Sequence, residues 1–278
     1  MTHMPVRDDH GLTDRFAPVS LQALNAKAAM LERLDNKYVL QAPVLAAAAT
    51  ELAGLFDVLE IDGRRSFTYE TCYFDDAERR SYLDHHQGRR QRMKVRVRRY
   101  VEAALCYVEV KLKDKRGITV KKRMPYDPAL FGTLNDDALR HIEQAHQTLY
   151  GRPFQRPLEP VLTMQYRRIT LVARDGGERM TIDSGIRFSG LQPGGSDRQR
   201  STDDGVCIVE TKSAFGRGLA DAVLRRHGQH PTNACSKYCV GMSLTGTVPR
   251  FNRFRPALRK LGVLPASTQP MLETAHGL

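Results

Sequence analysis

Long stretches of strict period-two alternation constrain this chain more than any other feature. In an extended strand, residues i, i+2 and i+4 share a face. Across residues 92–101, Lys94, Arg96 and Arg98 therefore project one way while Met93, Val95 and Val97 project the other. The run 105–113 repeats the pattern, setting Glu109, Lys111 and Lys113 against Val108, Val110 and Leu112, and 118–124 sets Lys121 and Arg123 against Val120 and Lys122. Further alternating runs cover 67–75, 161–172, 179–188 and 206–211. This period predicts many long antiparallel strands, and strands with polar ends need closure or cover, so a barrel or tunnel is expected.

Like charges stacked on one sheet face repel each other. An ordinary solvated face mixes signs more evenly, whereas here cations recur from strand to strand: Arg33 and Lys37 beside Asp35, Arg168 after Pro160, Arg179 and Arg187 beside Asp183, and Lys212 beside Glu210. A bound polyanion would remove the repulsion. The whole chain agrees, with 43 Lys and Arg against 31 Asp and Glu, a net charge of +12, which calls for an anionic partner. Nucleic acid fits less well, because Trp is absent, aromatics are only 7%, and in a tunnel the bases would point inward rather than onto a surface.

The acids scattered among those bases suit a divalent cation, which takes oxygen ligands and neutralises phosphate charge. Glu210 is the first candidate ligand and Glu109 the second. Asp35 and Asp183 fit salt bridges to neighbouring cations equally well.

Helices are expected over 21–30, 44–55, 136–149, 219–226 and 256–261, with Asn135 as an N-cap and Gly151 as a stop for the third. The segment 192–204 has the Gly, Ser and charge content of a mobile insertion between two strands. The five cysteines are odd in number and mostly far apart, which favours neither a disulfide framework nor zinc. Cys235 and Cys239 read as small buried hydrophobes. The His85 and His86 pair reads as surface loop. No run approaches a membrane-spanning length and the N-terminus lacks a secretory core, so no membrane span and a cytoplasmic location are expected.

These segments resemble the VTC domain, the polyphosphate polymerase domain of the triphosphate tunnel metalloenzyme superfamily, and more distantly CYTH proteins. The resemblance runs from about residue 32 to 241. It is carried by ERLDNKYVL at 32–40, TCYFDD at 71–76, KVRVRRY at 94–100 and VEVKLKDKRGITVKKR at 108–123, followed by YRR at 166–168, RMTIDSGIRF at 179–188, IVETKS at 208–213 and SKYCVG at 236–241. Eight short motifs in family order with compatible gaps form a specific signal.

The resemblance implies an α+β fold, an eight-stranded antiparallel β tunnel with flanking helices, over residues 19–262. Residues 1–18 are expected to be a loosely ordered N-terminal segment and 263–278 a flexible tail. Carried over position by position, Lys37, Arg96, Arg98, Lys111, Lys121, Arg168, Arg179 and Lys237 would contact phosphate. The cationic faces add Lys94, Arg123 and Lys212 to that set. Arg96, Arg98, Lys111 and Arg168 would align the reacting phosphoryl group. Glu210, assisted by Glu109, would hold Mn2+ or Mg2+. ATP and inorganic polyphosphate or triphosphate are the implied partners, with polyphosphate synthesis as the leading activity. A triphosphatase or polyphosphatase and a non-catalytic polyphosphate-binding module are the alternatives; protein partners are not specified. The ExExK motif of the CYTH branch is absent, Arg33 and Asp35 standing at its two Glu positions, and Ala234 stands where relatives often carry lysine. The phosphate-sensing and membrane segments that flank larger relatives are not matched, so a stand-alone version is expected.

Overall fold

Alternation in the sequence becomes one large antiparallel sheet whose apolar side is covered by helices. A computed structural model of the chain describes residues 10–27, 34–191 and 198–263. In chain order, α1 (His10–Thr13) and β1 (Ala17–Val19) precede α2 (Leu21–Lys27), β2 (Leu34–Gln41), α3 (Ala42–Leu55), β3 (Phe56–Leu59) and β4 (Phe67–Asp75). Next come α4 (Arg80–Gln87), β5 (Arg92–Tyr100), β6 (Leu105–Lys113), β7 (Thr119–Pro125), α5 (Asp136–Tyr150), β8 (Glu159–Ala173) and β9 (Arg179–Gly190). The chain then forms β10 (Arg198–Ser201), β11 (Val206–Ser213), α6 (Leu219–Arg226), α7 (Lys237–Leu244) and α8 (Arg255–Lys260).

Eight strands form the main path, in the order β2-β11-β9-β8-β4-β5-β6-β7, every neighbour antiparallel. The expected eight-stranded path is present, but hydrogen bonds do not close it into a barrel: β2 and β7 are its two ends. β7 carries Lys121, Lys122 and Arg123 in succession, all exposed. A charged edge of this kind resists further strand pairing. The sheet nevertheless curls, since Lys94 of β5 reaches Ser236 at 2.9 Å while the next residue, Lys237, pairs with Asp183 of β9.

The apolar faces point outward. Met93, Val95, Val97, Val108, Val110 and Leu112 pack beneath Ala138, Ile142 and Ala145 of α5. On the other half of the sheet, Tyr38, Leu40, Ile169, Leu171, Ile182 and Val209 pack against α3 and α6. At one end the concave face becomes apolar, where Val39, Met164, Tyr166 and Ile208 enclose Tyr238, Cys239 and Met242 of α7. Helix α7 therefore fills part of the concavity from within.

Local signals explain the helices that sequence anticipates. Asn135 accepts from Ala138 N, Asp136 and Asp137 lie in the first turn of α5, and Gly151 ends it at φ 69°. Helix α2 is described over Leu21–Lys27, and residues 28–30 of its expected span, with Arg33, lie outside the described residues. Helix α4 corrects the expected loop around His85 and His86. It has no side-chain N-cap and starts after Arg79 at φ 57°, so it gives little local warning. It is held instead by Asp75, whose carboxylate accepts from Ser81 N, Tyr82 N and Tyr238 Oη.

In the segment read as a mobile insertion, residues 198–201 form β10 against β9, while 192–197 lie outside the described residues. Within the expected N-terminal segment, β1 runs parallel to β3 and Phe16 is buried in the core. Residues 1–9 and 264–278, including almost all of the expected tail, are outside the described residues. All five cysteines are buried and stand outside any disulfide. No helix among the described residues is long and apolar enough to cross a membrane.

Candidate functional site: a cationic concavity

Register assembles the charged side chains into rows. Tyr73 pairs with Arg96, Arg96 with Glu109 and Glu109 with Arg123; the next row is Lys94, Lys111 and Lys121. Across the concavity, Arg168 pairs with Asp183, Glu210 lies between Thr181 and Lys37, and Lys212 lies between Arg179 and Asp35. Strand alternation turns all of these to one face, the face left uncovered by α3, α5 and α6.

Three carboxylates organise the cations. Asp183, fully buried, accepts two hydrogen bonds from Arg168, Nε to Oδ1 at 2.6 Å and Nη2 to Oδ2 at 2.7 Å, and also pairs with Lys237 from α7. Glu109, 1% exposed, takes Arg96 Nε at 2.7 Å and also pairs with Lys121. Glu210 pairs with Lys212 at 2.6 Å and Lys37 at 3.5 Å, and Lys212 reaches Asp35 at 3.5 Å. Burial raises a carboxyl pKa, but here the surrounding cations override it. Arg96, Arg98 and Lys121 hold Glu109 well below the usual carboxylate range, Arg168 and Lys237 lower Asp183, and Lys37, Lys212 and Lys111 do the same for Glu210.

Cations outnumber these anions. Among the described residues no carboxylate lies within ion-pair distance of Lys94, Lys111, Arg98 or Arg123. Lys94 Nζ donates to Ser236 Oγ at 2.9 Å, and Arg98 Nε to Thr71 Oγ1 at 3.3 Å. Guanidinium groups also lie over tyrosine rings: Arg98 and Arg168 over both Tyr69 and Tyr166, Arg96 over Tyr73, and Arg123 over Tyr107. Burial, with Lys37 and Arg96 nearby, pushes Lys94 down to about 8. Enclosure by protein also lowers Lys111 to about 8, helped by Lys94 and Lys37, although its side chain is wetted.

The VTC domain family matches residues 32–245. This chain belongs to the VTC domain family. Among curated proteins none matches it. Solved structures similar to it include a Hippeastrum protein named as a candidate adenylyl cyclase with a dominant triphosphatase activity, 16% identical at TM-score 0.43 over 80% of this chain and all of that one. A candidate adenylate cyclase from Bacillus halodurans is 9% identical at TM-score 0.39, covering 88% of this chain and 98% of its own. A Pyrococcus horikoshii protein is 11% identical at TM-score 0.38, covering 70% and 90%. At these values the family assignment rests on the domain match.

Membership of the VTC domain family supports a triphosphate- or polyphosphate-related function, and the sequence expectation adds a divalent metal on Glu210 and Glu109. Among the described residues no group of three His, Cys, Asp or Glu could hold an ion unaided. Asp35 and Glu210, however, flank Lys212 at 3.5 and 2.6 Å. Two such carboxylates fit a hard cation that completes its oxygen shell from phosphate. Glu109 fits worse, being closed off from solvent between Arg96 and Lys121.

Of the eleven phosphate-binding residues named from sequence, register and ion pairing bring Lys37, Lys94, Arg96, Arg98, Lys111, Lys121, Arg168, Lys212 and Lys237 around the concavity. Arg123 and Arg179 share the same face, paired in register with Glu109 and Lys212. Sequence reasoning omits Tyr69, Tyr73, Tyr166 and Ser236 as site residues. Tyr166 was detectable from its period-two spacing to Arg168; Ser236 was not, because its approach to Lys94 spans 142 residues.

Proposed function

We propose that the concave face binds a polyphosphate chain and the triphosphate of ATP, and transfers the γ-phosphoryl group from ATP to the chain end. The observation that carries this reading is the charge imbalance on the concave face: among the described residues Lys94, Lys111, Arg98 and Arg123 have no carboxylate within ion-pair distance, while three other cation groups share Glu109, Asp183 and Glu210. An anion with charge on every unit supplies the missing counter-charge.

In the transfer, a terminal polyphosphate oxygen forms a bond to the γ-phosphorus as the bond to the ADP oxygen breaks, and ADP leaves. Such chemistry needs alignment and charge neutralisation rather than a covalent nucleophile. Arg96 and Arg168, each held by a buried carboxylate, present fixed remaining donors to the phosphate oxygens. Arg98 and Lys111 bring unpaired charge. Glu210, with Asp35, would hold Mn2+ or Mg2+, which when bound neutralises phosphate oxygens.

The test is incubation of the purified protein with ATP and Mn2+, following ADP, free phosphate and long-chain polyphosphate together, with Glu210→Ala as control. Long polyphosphate with ADP, lost in the variant, supports the polymerase. Free phosphate without polymer reassigns the same face to a triphosphatase or polyphosphatase. Binding without turnover makes it a holding module.

A further inference from the structure

The cation row does not stop at α7. On β5 the same alternation that presents Arg98, Arg96 and Lys94 also presents Arg92, and Arg92 is the direct cross-strand partner of Lys113 on β6. Six residues of extended strand separate Arg92 from Arg98, about 20 Å at strand rise. Three phosphates joined by two bridging oxygens are shorter than that run.

Beyond Arg92 lies Arg253, which follows the family-matched region. Its guanidinium donates to His86 O at 3.2 Å and lies against Gly88, the C-cap of α4 at φ 72°. A Cβ at Gly88 would stand 2.5 Å from Arg253 Nη1, so the missing side chain makes room for the guanidinium. Arg92 is fixed by donation from Nη1 to Arg89 O at 2.5 Å. Tyr150 Oη lies within hydrogen-bond distance of the carbonyls of both Arg92 and Lys113, at 3.0 and 2.9 Å, and its single proton is shared between the two strand ends.

Among the described residues, Arg92, Lys113 and Arg253 have no carboxylate within ion-pair distance. The nearest acids are otherwise engaged: Asp84 pairs with Arg89 at 3.3 Å, and Asp114 accepts from Ile118 N in the hairpin turn. Arg92 and Arg253 act on each other electrostatically, Arg92 on Lys113 and Lys94, and all but Arg253 and Lys113 on His85 together with Lys111. These groups are thus one continuous field rather than scattered surface charges.

We infer that Arg92, Lys113 and Arg253 form a distal subsite for the phosphate units of a chain too long for the central concavity. This rests on the polyphosphate reading above and narrows it, since the ligand that fits the whole row is a linear polyphosphate and not a lone triphosphate. Arg92 and Lys113 take the units next to Lys94 and Lys111; Arg253 takes the following unit at the α4 C-terminus.

The test compares Arg92→Gln/Arg253→Gln with the parent protein, measuring binding of tripolyphosphate and of long-chain polyphosphate by calorimetry, with thermal unfolding as a check on folding. The expected result is unchanged tripolyphosphate affinity with polyphosphate affinity down by about tenfold or more, the scale of losing charged hydrogen bonds. A variant that folds and binds both ligands like the parent, or loses both equally, overturns the subsite and leaves the central site standing. A parent that binds neither ligand overturns the polyphosphate reading itself, and the subsite with it. Lys113→Gln alone, which leaves the arginines and their carbonyl contacts in place, is expected to show the same selective loss.

Discussion

Arg168 and Asp183 meet side-on across neighbouring strands, two hydrogen bonds of 2.6 and 2.7 Å joining a guanidinium to a carboxylate that no solvent reaches. Lys237 of α7 completes the group, so a single acid ties two sheet strands to the helix inside the concavity. Asp183→Ala leaves two enclosed cations uncompensated, and we expect a stability loss of about 3–5 kcal/mol, the usual scale for breaking a buried pair. Inorganic tripolyphosphate should return part of the lost melting temperature by replacing the missing anion. Thermal unfolding with and without it checks this; equal recovery in the parent and the variant would speak against the role.

Arg98 makes the opposite case. It has no carboxylate partner, lying over Tyr69 and Tyr166 and donating to Thr71. Arg98→Ala should therefore leave no orphaned acid and should weaken tripolyphosphate binding by about tenfold or more, the equivalent of about 1.5–3 kcal/mol for hydrogen bonds to a charged group. Isothermal calorimetry measures the affinity, and a drop in melting temperature as large as that of Asp183→Ala would contradict the contrast.

Lys94 and Lys111 give the site a pH dependence. Enclosure by protein and neighbouring cations hold both near 8 in the free protein. A polyanion binds the charged form, so affinity should fall as pH rises above about 8, by at most about tenfold per unit for each lysine. At pH 8.5 binding should be accompanied by proton uptake, seen as a binding enthalpy that changes with the ionisation heat of the buffer. For folding alone the sign reverses. Between about 8 and the free lysine value the unfolded chain holds more protons, so these two groups make stability rise with pH across that window. Binding that stays constant from pH 7.5 to 10 would exclude a part for either lysine.

Glu210→Gln separates metal from phosphate. The carboxylate draws Lys37 and Lys212 toward itself. Its neutralisation should free both lysines, so tripolyphosphate binding in EDTA should hold or tighten while Mn2+-dependent turnover is lost. Measured together, weakened metal-free binding would instead assign Glu210 to orienting the lysines.

Much of this was legible because a strand's period of two leaves no freedom about which side chains share a face. Lys94, Arg96 and Arg98 could be put on one side of β5 before any coordinates, and the observed strand matches within one residue. Helix α4 and β10 were illegible for the converse reason: α4 lacks a side-chain cap, and its fixed points, Asp75 and Tyr238, belong to other elements. The role of Glu109 was also hidden, since its clamping by Arg96 and Lys121 depends on three strands in register.

The sequence by itself determined the strands, their two-faced character, the excess of positive charge and the family, all of which follow from local periodicity, composition and ordered motifs. Only the tertiary structure decided how the curl brought the two halves of the cationic face together around Ser236 and Lys237, and which acid claimed which base. Those outcomes depend on packing α3, α5 and α6 over the apolar faces and on long-range register, and neither is encoded within any one segment.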